Sequence, residues 1–245
     1  MLRLLRKVHT VLYRGSVGLI FILLWPFLYA FSRHPGQYAA MNKVRRVYAF
    51  LSSGLLGLFY NIKLETAIDW NRPYVICANH SSNLDISAII LAARGSFRFM
   101  GKDELLNNFV TGFFFRTIDI PVNRESKISS FRAFKKAEES LRAGMSVVIF
   151  PEGRISDDYP PVLNDFKNGA FRLAIDNHVA ILPVTLTNVW ELMWDDGGLH
   201  GSKPGICDIF VHKPIETSEL NAEDADRLKD EVRQIIASKL LIYAT

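Results

Sequence analysis

The chain has 245 residues, room for one catalytic-size domain and an appendage, and its 49% hydrophobic and 22% charged residues exclude disorder, a collagen-like repeat and a coiled coil. Its two cysteines, Cys77 and Cys207, form no CxxC pair, which argues against a disulfide scaffold or a thiolate zinc site and fits a reducing, cytosol-facing location. The net charge of +4 is unevenly placed: residues 1–64 carry nine Lys and Arg and no acid, leaving 20 basic against 25 acidic residues, a net −5, from Glu65 onward.

The basic end brackets two apolar runs, the pattern of an anionic membrane surface rather than of a nucleic-acid site. Residues 15–32 are 18 uncharged residues, at the lower limit for a spanning helix, and residues 47–62 are 16, slightly too few. Basic residues flank both runs on both sides, so the positive-inside rule keeps every flank on the cytoplasmic face. This predicts two helices dipping into one leaflet, a monotopic attachment to the inner (plasma) membrane, with Pro26 kinking the first and Trp25, Tyr29, Tyr48 and Tyr60 at headgroup level. A secretory signal shares the basic start, but no small-x-small cleavage site follows and the second run stays unexplained. Residues 1–62 are therefore expected to be a two-helix membrane-anchoring motif, and residues 63–245 a separate domain.

From residue 63 short apolar runs alternate with helical patterns. Strands are expected at 62–68, 74–77, 97–101, 118–122, 146–150, 180–186 and 208–211, and helices at 84–93, 103–114, 129–142, 169–176 and 222–241. The last carries Glu223, Asp224 and Asp226 in its first turn and a stripe of Leu228, Val232, Ile235, Ile236 and Leu240, as a helix covering a sheet should. The fold class is α/β: a mostly parallel central sheet of about seven strands flanked by helices, with function at the carboxyl ends of strands.

Two strand ends carry unusual chemistry. In Asn79-His80-Ser81-Ser82-Asn83-Leu84-Asp85, His80 leaves a strand and Asp85 sits in the first turn of a helix. The carboxylate can fold back onto the imidazole, fix its tautomer and stabilise the imidazolium, giving a general-base dyad. Ser82-x-x-Asp85 equally matches a capping box. In Phe150-Pro151-Glu152-Gly153-Arg154 an apolar strand stops at a turn. Gly153 permits close backbone approach, Arg154 offers a fork for phosphate, and Glu152 can accept a hydroxyl or order neighbouring donors. A plain chain reversal would use the same residues.

Asn79-His80-x4-Asp85 followed by Phe150-Pro151-Glu152-Gly153 resembles the glycerolipid acyltransferase family, the lysophosphatidic acid acyltransferases in particular. Further landmarks lie between and after these blocks: Lys102, Glu104 and Gly112, the segment ending in Arg124, Lys167 with Gly169-Ala170, and Ile181-Leu182-Pro183-Val184. The resemblance covers nearly all of the chain after Lys63, and some bacterial members carry a two-helix membrane motif. It implies that His80 removes the acceptor hydroxyl proton, that Asp85 orients it, and that the acyl group comes from acyl-CoA or acyl-ACP as co-substrate, with no cofactor and no serine or cysteine nucleophile. Arg124 would hold the acceptor phosphate, with Lys102 and Arg154 as helpers, and Glu152 and Gly153 would line the acceptor site. Donors for the developing oxyanion are expected among the amides near Gly153 or at the helix start after Ser82. Two departures bear on the acceptor: Arg154-Ile155 replaces the family's Thr-Arg after the glycine, and Ile118 and Asp119 stand where a small residue is common.

Other segments read more than one way. Residues 128–142 place Ile128, Phe131, Phe134 and Leu141 on one side of a helix expected to cover the sheet, with docking of an acidic carrier protein as the other reading. The loop holding Trp190, Trp194, Gly197 and Gly198 could cover an acyl chain or pack in the core, and Phe113, Phe114 and Phe115 could border an acyl pocket or be core. His178, His200 and His212 lack metal-ligand spacing, so no metal is expected. The leading expectation is acylation of 1-acyl-glycerol 3-phosphate to phosphatidic acid in phospholipid biosynthesis. Acylation of another lyso-lipid, such as a lyso-amino-acid lipid, and a catalytically silent lipid-binding protein of the same fold are the alternatives.

Overall fold

The computed structural model describes residues 1–242. Seven strands, β1 (Leu58–Leu64), β2 (Val75–Ala78), β3 (Phe97–Lys102), β4 (Ile120–Val122), β5 (Ser146–Ile149), β6 (Ile181–Leu186) and β7 (Gly205–Val211), form one sheet in the order β1-β7-β6-β2-β5-β3-β4. Every neighbouring pair is parallel except β6 with β7. The central strands β2, β5 and β6 are buried along their whole length, which is why they read as continuous apolar runs rather than alternating ones.

Helices cover both faces. α1 (Leu2–Ser32), α2 (Tyr38–Gly54), α3 (Leu84–Ala92), α4 (Phe109–Thr117) and α7 (Val189–Leu192) are joined by α5 (Lys127–Arg142), α6 (Gly169–Asp176) and α8 (Ala225–Ile242). Leu84, Ala88 and Ile89 of α3 and Ala49 of α2 pack into one core, while Ala137 of α5, Phe171 of α6 and Leu228, Val232 and Ile236 of α8 pack into another.

Among the described residues α1 is the one helix long and apolar enough to cross a membrane, and Pro26 lies within it. Its outward face carries Leu4, Leu5, Val8, Val11, Leu19 and Ile22. The second apolar run is not one helix. Its first half ends α2, Gly57 turns the chain at φ +71°, and its second half is β1, so the expected strand starts four residues early and the expected boundary at residue 62 falls inside it. α2 turns a polar stripe inward, with Asn42 Nδ2 donating to Phe97 O at 2.8 Å and Arg45 paired with Asp119, so this face packs on protein where lipid would leave such groups unsatisfied. Its outer face keeps Val47, Phe50 and Leu51. Trp25 and Tyr29 are exposed as expected of interfacial aromatics, but Tyr48 is buried and Tyr60 bonds Ser53 at 2.9 Å inside the protein.

Two other helices differ from expectation. The helix expected at 103–114 is a 3-10 turn (Asp103–Asn107) followed by α4, because the Asn108 side chain caps the amides of Val110 and Thr111 and restarts the chain. In α5 the buried stripe is Ala133, Ala137, Ser140 and Leu141, small residues that let the helix approach the sheet, and Ile128 and Phe131 are left 67% and 70% exposed.

Candidate active site

The carboxyl ends of β2 and β5 lie side by side, because the two strands pair in register from Val75↔Val147 to Cys77↔Ile149. Each runs directly into one of the polar loops singled out in the sequence. Asn79 anchors the first: its Nδ2 donates to Leu186 O at 2.9 Å and its Oδ1 accepts from Leu186 N at 2.8 Å, so the loop leaves β2 locked to β6.

His80 follows, its Nδ1 2.8 Å from Asp85 Oδ2. The same oxygen accepts the amides of Ser81 at 2.7 Å and Ser82 at 2.8 Å, so Asp85 both holds the imidazole and closes the loop in the manner of a cap. Asp85 is 0% exposed, which favours a charge-assisted bond over one shared with water. The imidazole stacks on Phe150, centroids 4.2 Å apart at 18°, which fixes the ring plane. With Nδ1 committed, Nε2 is the nitrogen that can accept a proton.

The second loop braces the first. Glu152 Oε1 accepts His80 N at 2.7 Å, and Oε2 accepts both Asn164 N at 2.8 Å and Asn164 Nδ2 at 3.0 Å. Burial pushes its carboxyl above the usual carboxylate range, while these donors act against that shift. Glu152 therefore orders neighbouring donors, one of the two uses its position allowed. Gly153 sits at φ +76°, where a Cβ would come within 3.1 Å of both Arg124 Nη1 and Lys167 Nζ. Arg124 Nη1 donates to the Gly153 carbonyl, and burial holds its guanidinium below the ordinary arginine range.

Lys167 was only a landmark in the sequence. Its backbone amide bonds Pro151 O at 2.9 Å, which folds the chain back and sets its ammonium beside Gly153 and Arg124. Lys102 and Arg154 also line the cleft but, exposed like Arg124 and Lys167, are already engaged by acids, Glu104 at 2.6 Å and Asp157 at 2.9 Å. The cations thus divide into an inner pair, Arg124 and Lys167, and an outer pair already neutralised.

His80, Arg124, Gly153 and Lys167 line a cleft of about 790 Å³. A second cavity of about 640 Å³ shares His80, Ile86, Phe99, Leu105 and Phe115 with it and extends between α1, α2, α3 and α4. Phe114 and Phe115 line this cavity, whereas Phe113 packs against Phe21 and Trp25 of α1. α1 is held in place as its wall by Arg14–Asp196 at 2.9 Å and by His9, which bonds Ser202 Oγ at 2.7 Å and Leu56 O at 2.9 Å. Trp194 reaches the cleft, and the adjoining Asp195 backbone pairs with Ser81 and Asn83, so this loop supports the histidine loop.

Four of the amides in the two stretches expected to supply oxyanion donors are engaged in holding the loops. Gly153 N donates to Phe150 O, Ser82 N to Asp85, Asn83 N to Asp195 O and Leu84 N to Ser82 Oγ. Neither cysteine offers a nucleophile: burial raises both thiols, Cys207 to about 12.

Residues 60–187, just over half of the chain, match the family model described as Acyltransferase. A 1-acyl-sn-glycerol-3-phosphate acyltransferase of Chlamydomonas reinhardtii is 30% identical over 219 residues, covering 88% of this chain and 62% of that protein. The chloroplastic 1-acyl-sn-glycerol-3-phosphate acyltransferase LPAT1 of Arabidopsis thaliana is 32% identical over 186 residues, covering 74% of this chain and 50% of that protein. The chain thus spans between half and two thirds of the length of these two relatives. The crystal structure of the 1-acyl-sn-glycerophosphate acyltransferase PlsC from Thermotoga maritima superposes with a TM-score of 0.82 at 20% identity, covering 100% of this chain and 98% of that one, a likeness of fold.

Proposed function

The chain belongs to the acyltransferase family, and from that premise we propose that it moves a fatty acyl group from a thioester to the sn-2 hydroxyl of 1-acyl-sn-glycerol 3-phosphate, giving phosphatidic acid. The observation that carries this reading is the His80–Asp85 pair standing where a cationic cleft meets an apolar cavity. The cationic cleft matches an acceptor with one phosphate and one free hydroxyl, and the apolar cavity matches the acyl chain that the thioester brings. The relatives' names point to the same acceptor.

In this mechanism His80 Nε2 takes the hydroxyl proton while Asp85 stabilises the imidazolium. The acceptor oxygen attacks the thioester carbonyl, a C–O bond forms, the C–S bond breaks, and the thiolate takes the proton back from His80. No resident cofactor enters. Arg124 and Lys167 hold the phosphate, and Glu152 keeps the histidine loop in register. Thioesters of coenzyme A or of acyl carrier protein both satisfy the chemistry. The exposed apolar face of α1 with its basic flanks fits attachment to the cytoplasmic leaflet without crossing it.

The test is transfer of a labelled acyl thioester by detergent-purified protein to a panel of lysophosphatidic acid, glycerol 3-phosphate and lyso-amino-acid lipids, with His80→Ala alongside. Preference for lysophosphatidic acid and a dead His80→Ala are expected. Preference for a lyso-lipid without phosphate, or full activity of His80→Ala, overturns the reading.

A further inference from the structure

A third cavity, of about 410 Å³, also reaches His80. It shares His80 and Glu152 with the cationic cleft but neither Arg124 nor Lys167, and only His80 with the apolar cavity. Pro160, Val162, Leu163, Trp190 and Leu240 make its walls largely apolar, and Val162, 56% exposed, marks its outer rim. Ser81 lines it as well. That residue is 4% exposed, and its Oγ is a buried side-chain atom with no hydrogen-bond partner. A hydroxyl taken from water and left unpaired is destabilising, so an orphan at a cavity wall points to a ligand that brings a polar atom to it.

Acyl transfer places three organic branches on the reacting carbon: the acyl chain, the acceptor oxygen and the sulfur of the donor. Among the described residues, these three cavities all reach His80. The cleft with Arg124 and Lys167 suits the phosphate-bearing acceptor. The apolar cavity suits a hydrocarbon chain, since its two arginines, Arg14 and Arg45, are already paired with Asp196 and Asp119. The remaining branch is the sulfur, carried on an arm of methylenes and amides, and the remaining cavity has largely apolar walls, the exposed Glu191 carboxylate and one unpaired buried hydroxyl.

We infer that the third cavity receives the phosphopantetheine arm of the acyl donor, with Ser81 Oγ hydrogen-bonded to that arm. The inference rests on the transfer reaction proposed above. When the C–S bond breaks and His80 returns its proton to the sulfur, the free thiol arm leaves by the rim at Val162.

Val162→Trp fills the rim from an exposed loop position, and Ser81→Ala removes the orphan hydroxyl while keeping the amide that bonds Asp85. Two measurements on the full chain in detergent separate this inference from the reaction it rests on. The first is calorimetric binding of S-hexadecyl-CoA and S-hexadecyl-acyl carrier protein, thioethers that cannot be transferred. The second is steady-state kinetics with hexadecanoyl-CoA, hexadecanoyl-acyl carrier protein and hexadecanoyl-N-acetylcysteamine, which has only the end of the arm. Val162→Trp is expected to weaken thioether binding and raise the KM of the long-armed donors about tenfold or more, as overpacking of a binding wall does. The acceptor KM and the truncated donor should stay within about twofold. Ser81→Ala should raise the long-armed donor KM severalfold. An effect confined to one long donor identifies the carrier of the arm. Unchanged thioether binding and donor KM in both variants, or no thioether binding by the wild type, overturns the inference. Binding that Val162→Trp weakens in a protein that acylates no lyso-lipid supports the arm site and removes the proposed reaction instead.

Discussion

Arg45 and Asp119, 74 positions apart, form a two-pronged ion pair, Nη1 to Oδ1 at 3.1 Å and Nη2 to Oδ2 at 2.9 Å, with both side chains 2% exposed. The guanidinium also faces the rings of Phe97, Phe99 and Phe114, and Asp119 Oδ1 accepts Phe99 N at 2.9 Å. The pair fastens α2 to the edge of the sheet that carries Arg124. It also accounts for an acid where the family often has a small residue. Arg45→Met strands a buried carboxylate and is expected to destabilise the protein by about 3–5 kcal/mol. Adding Asp119→Asn, which keeps an acceptor for Phe99, should recover most of that. Thermal melts in one detergent check this; a single variant that melts with the wild type denies the pair any structural role.

Asp85→Asn keeps an oxygen for the amides of Ser81 and Ser82 but removes the charge facing His80. Turnover should fall by about 10² to 10⁴, the range of general acid–base assistance, in a protein that remains folded. Wild-type turnover would leave Asp85 with the loop-closing role alone.

Neutralising either inner cation, as Arg124→Gln or Lys167→Gln, should raise the acceptor KM about 10- to 100-fold, the size of a hydrogen bond to a charged group, without moving the donor KM. Lys102→Gln and Arg154→Gln should change it less than about threefold, because exposed cations already in ion pairs add little. Equal effects from all four would dissolve the division into inner and outer pairs.

Gly153→Ala forces a left-handed backbone on a residue with a Cβ, at about 1–2 kcal/mol, and drives that carbon against Arg124 Nη1 and Lys167 Nζ. Both cations must move. A lower melting temperature together with a raised acceptor KM is expected; a melting shift with unchanged KM would detach Gly153 from the acceptor site.

Burial holds the His212 imidazole below its ordinary 6.5, with Lys239 adding to the shift and Glu65 opposing it, while Nε2 bonds Thr185 Oγ1 at 2.8 Å. The unfolded chain takes up this proton first. Its stability contribution is therefore present above 6.5, falls as pH drops through the interval down to the folded-state value, and is fully lost below that. Denaturant midpoints at about pH 7.5 and about pH 5.5 should separate more for the wild type than for His212→Gln. Parallel shifts in both proteins assign the acid sensitivity to other groups.

Much of this was legible along the chain. Strand cores, the α8 stripe and the polar loops after β2 and β5 follow from residues within a few positions of one another, because side-chain period and turn chemistry are local properties. The five-residue step from His80 to Asp85 is local too, so their pairing could be expected before the fold was known. Tertiary packing alone decided the rest. The sequence placed Arg45 among membrane-flanking cations, and only the approach of α2 to β3 and β4 gave it Asp119. Lys167 stood in the sequence only as a landmark of the resemblance, and the bond from its amide to Pro151 is what brought its ammonium to Gly153. Likewise, whether an amide is free for an oxyanion or a serine is left unpaired depends on every neighbour that folding brings within hydrogen-bond reach, and those neighbours are distant in sequence.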